Sequence, residues 1–424
     1  MKCAIALLFA ALAIPALAAA NPKTAILYNF KGAPGGAFPS GDLIIDTSGN
    51  LYGTSRGGPF SCSGLGCGTV FELIAPASRG GAWTELVLYS FTGGADGGVP
   101  GPLVMDAHGN VYGYGAIGGD ANSYCSNIGF TGCGVIFELS KQSGTWKETV
   151  LHTFEGPDGA EPRSPLLFDA QGNLYGSTEY GGSNGGGTVF KMSPNGDGTW
   201  AEAVLYNFAS PGSQGVFSPE GRMVFDSTGN LYGTALGADE NGNANGVIYQ
   251  LRAGPWQEIT IYSFGGGEQY APSGGLATDK TGNLYGITPN GGVVNSHCPS
   301  GCGTIFELSP TNGVWSYSTL FEFYDGQGVS FEPNAPPLLD STGNLYGTAL
   351  AGGGGCGAVW RFTAGTGAWA ELDYQASHNP PGLCRPNGKP IFGKFGGLYS
   401  ASAAGGPKNN KCFHGCGTVF AIYP

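Results

Sequence analysis

Apolar residues in this chain come in short runs, each closed by Gly, Asn, Asp or Pro. Leu43-Ile44-Ile45, Leu103-Val104-Met105, Leu166-Leu167-Phe168 and Met223-Val224-Phe225 each lead directly into an Asp. The phrase Asp-x-x-Gly-Asn-Leu-Tyr-Gly then follows at 46–53, 169–176, 226–233, 279–286 and 340–347, and at 106–113 with Val111 for Leu. Residues 395–400 are a degraded further copy. The central tyrosines, 52, 112, 175, 232, 285, 346 and 399, stand 53 to 63 residues apart. A glycine-rich loop comes next, then Gly-Thr-Val-Phe-Glu-Leu at 68–73, echoed from Gly134, Gly187, Gly246, Gly303, Gly357 and Gly417. A Trp-led stretch ending in Phe completes the unit, as in 83–91, 146–154, 200–208, 256–264 and 315–323; the copy from Trp369 lacks the Phe.

These runs are short, rich in β-branched and aromatic residues, and bounded by turn formers, which predicts strands. No segment sustains a helical period. Each unit therefore reads as four antiparallel strands, A to D, and seven such units predict an all-β, seven-bladed propeller. A parallel β-helix is the structural alternative, but its coils are shorter and its strands are not hairpin-linked. The two ends fit a ring. Residues 24–30 match strand D, and residues 417–422 match strand C of a final unit without its own D strand. Pairing them would close the circle and cover two sheet edges.

Composition sharpens this picture. Glycine reaches 79 residues and proline 28, but aromatics are 12% and charged residues 11%, the reverse of a disordered chain. The first residues, Met1-Lys2, an apolar stretch from Ala4 to Ala19 and small residues at 16–20, fit a secretory signal peptide over 1–20, leaving 21–424 as the propeller. A membrane anchor is the alternative, but the stretch is near the minimum length to span a bilayer. Export to the periplasm or cell exterior is expected, with no membrane insertion after cleavage. The formal net charge of −12 repels phosphate backbones and argues against nucleic acid as a partner.

Export makes the cysteines informative. Cys62/Cys67, Cys125/Cys133, Cys298/Cys302 and Cys412/Cys416 are close pairs just before strand C. Cys356 holds the same place in the sixth unit, and Cys384 lies in the next D–A loop. Five disulfides are expected, the fifth being Cys356–Cys384, and their expected effect is to stiffen the long glycine-rich loops. Zinc is the rival, prompted by His297-Cys298 and Cys412-Phe413-His414-Gly415-Cys416, but the pairs fall in different units without a tetrahedral set. No cofactor or metal is expected.

Asp-x-x-Gly-Asn reads as the A–B turn, Asp bonding backbone ahead of it and Gly or Asn taking positive φ. The Tyr and Phe repeats are expected between blades, and the Trp at the outer rim. Antiparallel strands put the A–B and C–D turns on one face and the long B–C and D–A loops on the other. Function is expected on the variable, cysteine-braced face, near the central channel. Its polar candidates are Asp96, Asp158, Glu161, Arg163, Glu268, Asp325 and Glu332 from D–A loops, with Arg56, Glu179 and Tyr180 from B–C loops. Any of them could be ordinary solvated loop residues, and Asp96, Asp158 and Asp325 each precede Gly.

Catalytic motifs are poor. Gly53-Thr54-Ser55-Arg56-Gly57 spells a nucleophile elbow but lies in a strand-flanking loop, where that motif needs a strand–turn–helix. Glycine runs such as 352–355 precede no helix and are not phosphate loops. The expected function is therefore a non-catalytic binding or scaffold propeller, monomeric, with a glycan or protein partner. The alternative is a polysaccharide hydrolase or lyase using loop carboxylates.

The phrases Gly-Asn-Leu-Tyr-Gly-Thr and Gly-Thr-Val-Phe-Glu-Leu, with Leu-Tyr-Ser-Phe, resemble the Gloeo/Verruco tandem repeat (GloVer) of exported bacterial proteins. The resemblance covers nearly the whole chain after the leader. It implies export and a repeat fold, and brings no catalytic residues with it. The Asp-x-x-Gly-Asn turn is also similar, more weakly, to that of NHL-type propellers.

Overall fold

The computed structural model describes residues 22–423 except 41, 63–65, 120–122, 128, 130, 212, 214, 239–243, 266–271, 273, 325–330, 352–355, 375–382, 408–409, 411 and 413–414. Residues 1–20, expected as a signal peptide, lie outside them. The strands form seven antiparallel sheets, one per sequence unit. In the first blade, strands A to D are Ile44–Ile45, Leu51–Ser55, Thr69–Ile74 and Thr84–Ser90, hydrogen-bonded in that order. In the seventh, Lys23–Asn29 takes the D position beside Thr418–Tyr423, in register from Lys23↔Tyr423 to Asn29↔Thr418. One short helix, Ser123–Asn127, stands in the B–C loop of blade 2.

The repeated Asp organises the A–B turn. Asp46 Oδ1 accepts from the backbone N–H groups of Ser48 and Asn50, both at 2.8 Å, and Oδ2 accepts from Asn50 Nδ2 at 2.9 Å. The Tyr52 hydroxyl lies 3.2 Å from the same oxygen and 3.0 Å from Glu72 Oε1. The same turn recurs around Asp106, Asp169, Asp226, Asp279 and Asp340. Partial burial raises the carboxyls of Asp169, Asp226, Asp279 and Asp340, but these donated hydrogen bonds outweigh it and hold them below the usual range.

Aromatic side chains fill the walls between blades. The Phe ending strand D of one blade meets the aromatic of strand C in the next: Phe91 on Phe137, Phe154 on Phe190, Phe208 on Tyr249 and Phe264 on Phe306, with centroids 5.0 to 5.5 Å apart. That strand-C ring lies over the Gly of the neighbouring B strand. A Cβ at Gly176 would meet Phe190 at 2.5 Å, and one at Gly286 would meet Phe306 at 2.3 Å, so the motif tolerates no side chain there. The Trp stands on strand D, the outermost strand of each blade. It wedges into the wall against the motif Tyr of the preceding blade, as in Tyr52–Trp146, Tyr112–Trp200 and Tyr232–Trp315.

All five expected disulfides form: Cys62–Cys67, Cys125–Cys133, Cys298–Cys302, Cys356–Cys384 and Cys412–Cys416. Four stay within one B–C loop. Their second members are buried at the root of each loop. Cys67 and Cys302 are completely buried and belong to the walls between blades. Cys133 and Cys416 are buried in the same way. The reason is their place directly ahead of strand C, where the next blade closes over them. The Cys67 carbonyl accepts from Val99 N at 2.8 Å, and the Cys302 carbonyl accepts from Glu332 N at 3.0 Å. Cys67 packs in one cluster with Phe91, and Cys302 in another with Phe323. Each of these bridges therefore anchors its loop to the wall. Cys356–Cys384 joins blade 6 to blade 7, the wall where strand D lacks its terminal Phe and where Leu372 shares a buried cluster with Phe420.

Candidate ligand-binding site

A few residues ahead of the apolar strand-A run, every unit has a residue followed by Pro: Phe38-Pro39, Val99-Pro100, Glu161-Pro162, Ser218-Pro219, Ala271-Pro272, Glu332-Pro333 and Arg385-Pro386. Six of the pre-proline residues are described, and all six have φ between 49° and 60°. L-residues before proline avoid that region, so each site stores strain of about 1–3 kcal/mol. Contacts with the preceding blade hold it. The strained N–H donates to the carbonyl just ahead of the Gly-Thr phrase, for example Glu161 N to Cys133 O at 2.8 Å and Arg385 N to Cys356 O at 2.7 Å. The Pro ring then covers that Gly. A Cβ on Gly134 would lie 2.5 Å from Pro162 Cδ, and Gly134 itself has φ +97°.

This clasp sets the next few residues of strand A against the ring axis. A cavity of about 270 Å³ lies there. Each blade contributes: Asp42, Pro102, Arg163, Arg222, Gly274, Asn334 and Asn387, in blade order, are on its wall. These positions follow the D–A loops, so the cavity occupies the half of the channel nearer the D–A and B–C loops.

Two charged groups stand around it. Near the mouth, Arg163 pairs with Glu161 and, through Nε, with Glu179 Oε2 at 2.9 Å. Glu161 is only 5% exposed, while about half of the Arg163 side chain is open. Burial pushes the Glu161 carboxyl above its usual range; Arg163 pulls it back, and Glu179 and Glu220 push it up again. Glu220 is also raised, by burial and then by Glu179, against Arg163. Tyr114 closes this side, its hydroxyl donating to the Arg163 carbonyl at 2.9 Å. Deeper in, Arg222 of blade 4 pairs with Asp42 of blade 1. Those blades are not neighbours, so this ion pair spans the axis and floors the cavity. The other Asp42 oxygen accepts from the Lys389 N–H of blade 7 at 2.7 Å.

Of the residues singled out from sequence, Glu161, Arg163 and Glu179 come together here. Tyr180 is partly buried beside Glu179, and burial and then Glu179 push its phenol up to about 12. Arg56 is exposed at the end of strand B in blade 1, its backbone N–H on Phe38 O at 3.2 Å. Glu332 is one of the strained pre-proline residues. Asp96 and Asp158 are taken up by their own D–A turns. Asp96 accepts from Thr92 N at 2.8 Å and Tyr89 OH at 3.1 Å, and Asp158 bonds His152 Nε2 and Glu155 N, both at 2.9 Å. Glu268 and Asp325 lie outside the described residues. Sequence reasoning missed Asp42, Glu220, Arg222, Asn334, Asn387 and Lys389. Their signal was the Pro at a near-constant distance before each motif Tyr, followed by positions whose chemistry changes from blade to blade.

Fold and channel together define a repeat β-propeller with an axial cavity. The chain belongs to the Gloeobacter/Verrucomicrobia repeat family, whose model matches residues 13–234, 120–331 and 219–424. No curated protein matches it. Solved structures similar to it include a protein of unknown function from Dyadobacter fermentans, with 11% identity over 94% of this chain and 96% of that one and a TM-score of 0.46. A gluconolactonase from Xanthomonas campestris shares 14% identity over 69% of this chain and 81% of its own, with a TM-score of 0.39. A family PL25 ulvan lyase shares 11% over 91% and 94%, with a TM-score of 0.48. At these levels the likenesses say nothing about activity.

Proposed function

We propose that this is a binding propeller that holds one sugar residue, such as the end of a glycan, in its axial cavity. One observation carries the reading: seven blades converge on one small cavity on whose wall Arg163, Arg222 and Asp42 are held in ion pairs. Sugar hydroxyls are bound by planar side chains with paired donors or acceptors, and Asn334, Asn387, Glu220 and the Arg163 and Arg222 guanidiniums on the wall are of that kind. The volume falls just under the range of about 300–1,000 Å³ typical of drug-sized ligands, which suits one pyranose ring better than a chain or a folded protein. Five disulfides favour an oxidising compartment, and among the described residues no helix is long and apolar enough to cross a membrane. Both fit a secreted or periplasmic receptor. A glycan array followed by calorimetry tests the proposal. Saturable binding that weakens at least tenfold in Asn334→Ala or Asn387→Ala supports it; absence of any saturable glycan sinks it.

A hydrolase or lyase is the second reading. Glu161 and Glu179 share one guanidinium, and Glu161 is held toward its protonated form, an arrangement suited to acid–base work on a glycosidic bond. Release of reducing ends from a bound glycan, abolished by Glu161→Gln, would favour it over simple binding.

A further inference from the structure

Around the axis, the residue after each clasp Pro is coupled to the strand-B residue two places past the motif Tyr. The described couples are Ser40–Thr54, Gly101–Tyr114, Arg163–Ser177, Glu220–Thr234, Asn334–Thr348 and Asn387–Ala401. All but one put a polar side chain on strand A and a small residue on strand B. Blade 2 inverts the rule, with Gly101 on strand A and Tyr114 on strand B. The inversion is compensated in space. A Cβ on Gly101 would lie 1.9 Å from Tyr114 Cζ and 2.4 Å from its hydroxyl oxygen, so the end of the ring takes the place of a side chain at 101. The hydroxyl then donates to the Arg163 carbonyl at 2.9 Å, in the next blade. That bond pins the ring and satisfies its polar tip.

Tyr114 is on the cavity wall and is the only aromatic there among the described residues. It is 6% exposed, so it offers a ligand a small, rigid patch whose hydroxyl proton is already committed. Pro102 of its own blade and Pro165 of the next are on the wall with it. Across the axis stands Asn334 of blade 6, and Glu220 of blade 4 lies between; both are partly exposed. A pyranose carries C–H groups on its faces and hydroxyls around its rim. Its face can cover aromatic and proline rings, which removes apolar surface from water and leaves the hydroxyls free to pair.

We infer that Tyr114 is the residue that selects a closed sugar ring: with Pro102 and Pro165 it seats the C–H face of a pyranose, while the rim hydroxyls reach Glu220 and Asn334. The inference rests on the binding reading above and adds which residue sets the preference for a ring over an open-chain polyol of similar hydroxyl content.

The probes are the methyl β-pyranosides of glucose, galactose, mannose and xylose, with glucitol as the open-chain control. Calorimetry on the full chain reads their affinities. The expected result is one or more pyranosides binding about tenfold tighter than glucitol. Tyr114→Phe should keep that ratio. Tyr114→Thr combined with Gly101→Ser should bring it close to one; this change gives blade 2 the Ser–Thr couple that blade 1 already accommodates, with its hydroxyl oxygens 3.3 Å apart. A second measurement needs no variant: saturating the aromatic protons of the unaltered chain should transfer most strongly to C–H protons on one face of the sugar. Transfer spread evenly over the ring overturns the inference, as does an unchanged ratio in the folded double variant. Equal losses in Tyr114→Phe and the double variant also overturn it, because the hydroxyl's hold on Arg163 would then be what matters. Pyranosides no tighter than glucitol, or none bound while a glycan array yields a saturable ligand, overturn it and leave the binding reading standing. No binding of any probe together with an empty array removes the binding reading itself.

Discussion

The walls between blades and the channel at their centre are made by the same repeats under opposite rules. In the walls, one position carries one residue type in blade after blade: Phe91, Phe154, Phe208, Phe264 and Phe323 all end strand D fully buried. In the channel, the residue after the clasp Pro is Ser40, Gly101, Arg163, Glu220, Asn334 or Asn387 among the described residues. Packing a rigid ring needs the same shape many times, whereas gripping an asymmetric ligand needs a different group at each point. Regularity therefore marks what holds the ring, and irregularity on the same scaffold marks what the ring can hold.

The comparison breaks first if a wall residue proves dispensable. Phe208→Ala removes a fully buried ring from between Tyr249 and its own blade, and should cost about 3–5 kcal/mol by denaturant unfolding. A loss below about 1 kcal/mol would mean the walls are not what holds the ring. Next comes the wall without its Phe. Cys356–Cys384 closes a separation of 28 residues across blades 6 and 7, while Cys412–Cys416 closes only 4. Loop-entropy scaling puts the first at about 3.5 kcal/mol and the second at about 2, so replacing each pair by Ala should lower Tm more for the inter-blade bridge. The Asp226→Ala change removes the acceptor of one A–B turn and should cost about 1–2 kcal/mol, as a lost capping group does.

A smaller effect tests the outer edge of the walls through pH. Burial, then the Asp96 charge, pushes Glu148 up to about 7. Burial also takes Glu202 to about 7, with His152 opposing and Asp158 adding to it. Both start from an ordinary 4.5, so the fold prefers their protonated forms. The stability they contribute is complete below pH 4.5 and is lost as pH rises through 7. Both carboxyls are partly solvated, which reduces the effect to about 1 kcal/mol each after screening. Tm should fall between pH 5 and pH 8, and Glu148→Gln with Glu202→Gln should flatten that fall. The smallest expected effect completes the contrast: Asn334→Ala in the channel should change stability by under about 0.5 kcal/mol while weakening ligand binding. A large stability loss there would make the channel a second wall.

Much of this is legible in the sequence. The period, the four strands per unit, the meeting of residues 24–30 with 417–422 and all five cysteine pairings follow from short-range chemistry and from repetition. Asp46 bonds residues two and four places ahead, and most cysteine partners are a few residues apart. Among the loop candidates, Glu161, Arg163 and Glu179 stand out because they lie where strands A and B leave the variable loops. Depth is the less legible quantity. Sequence says which strand or loop carries a side chain but not which neighbour covers it, as with Trp146 against Tyr52 and with Cys67 and Cys302 inside the walls.

The amino-acid order alone determined the architecture, since blades 1 to 6 are each built from contacts within one repeat, 53 to 63 residues long, and the two chain ends share the seventh. Only the closed ring decided the site. Asp42 and Arg222 are 180 positions apart, and Asp42 and Lys389 are 347. All three stand three residues after a clasp Pro, so the repeat places them on equivalent strands, but their meeting depends on a common axis that exists only once the blades are in place.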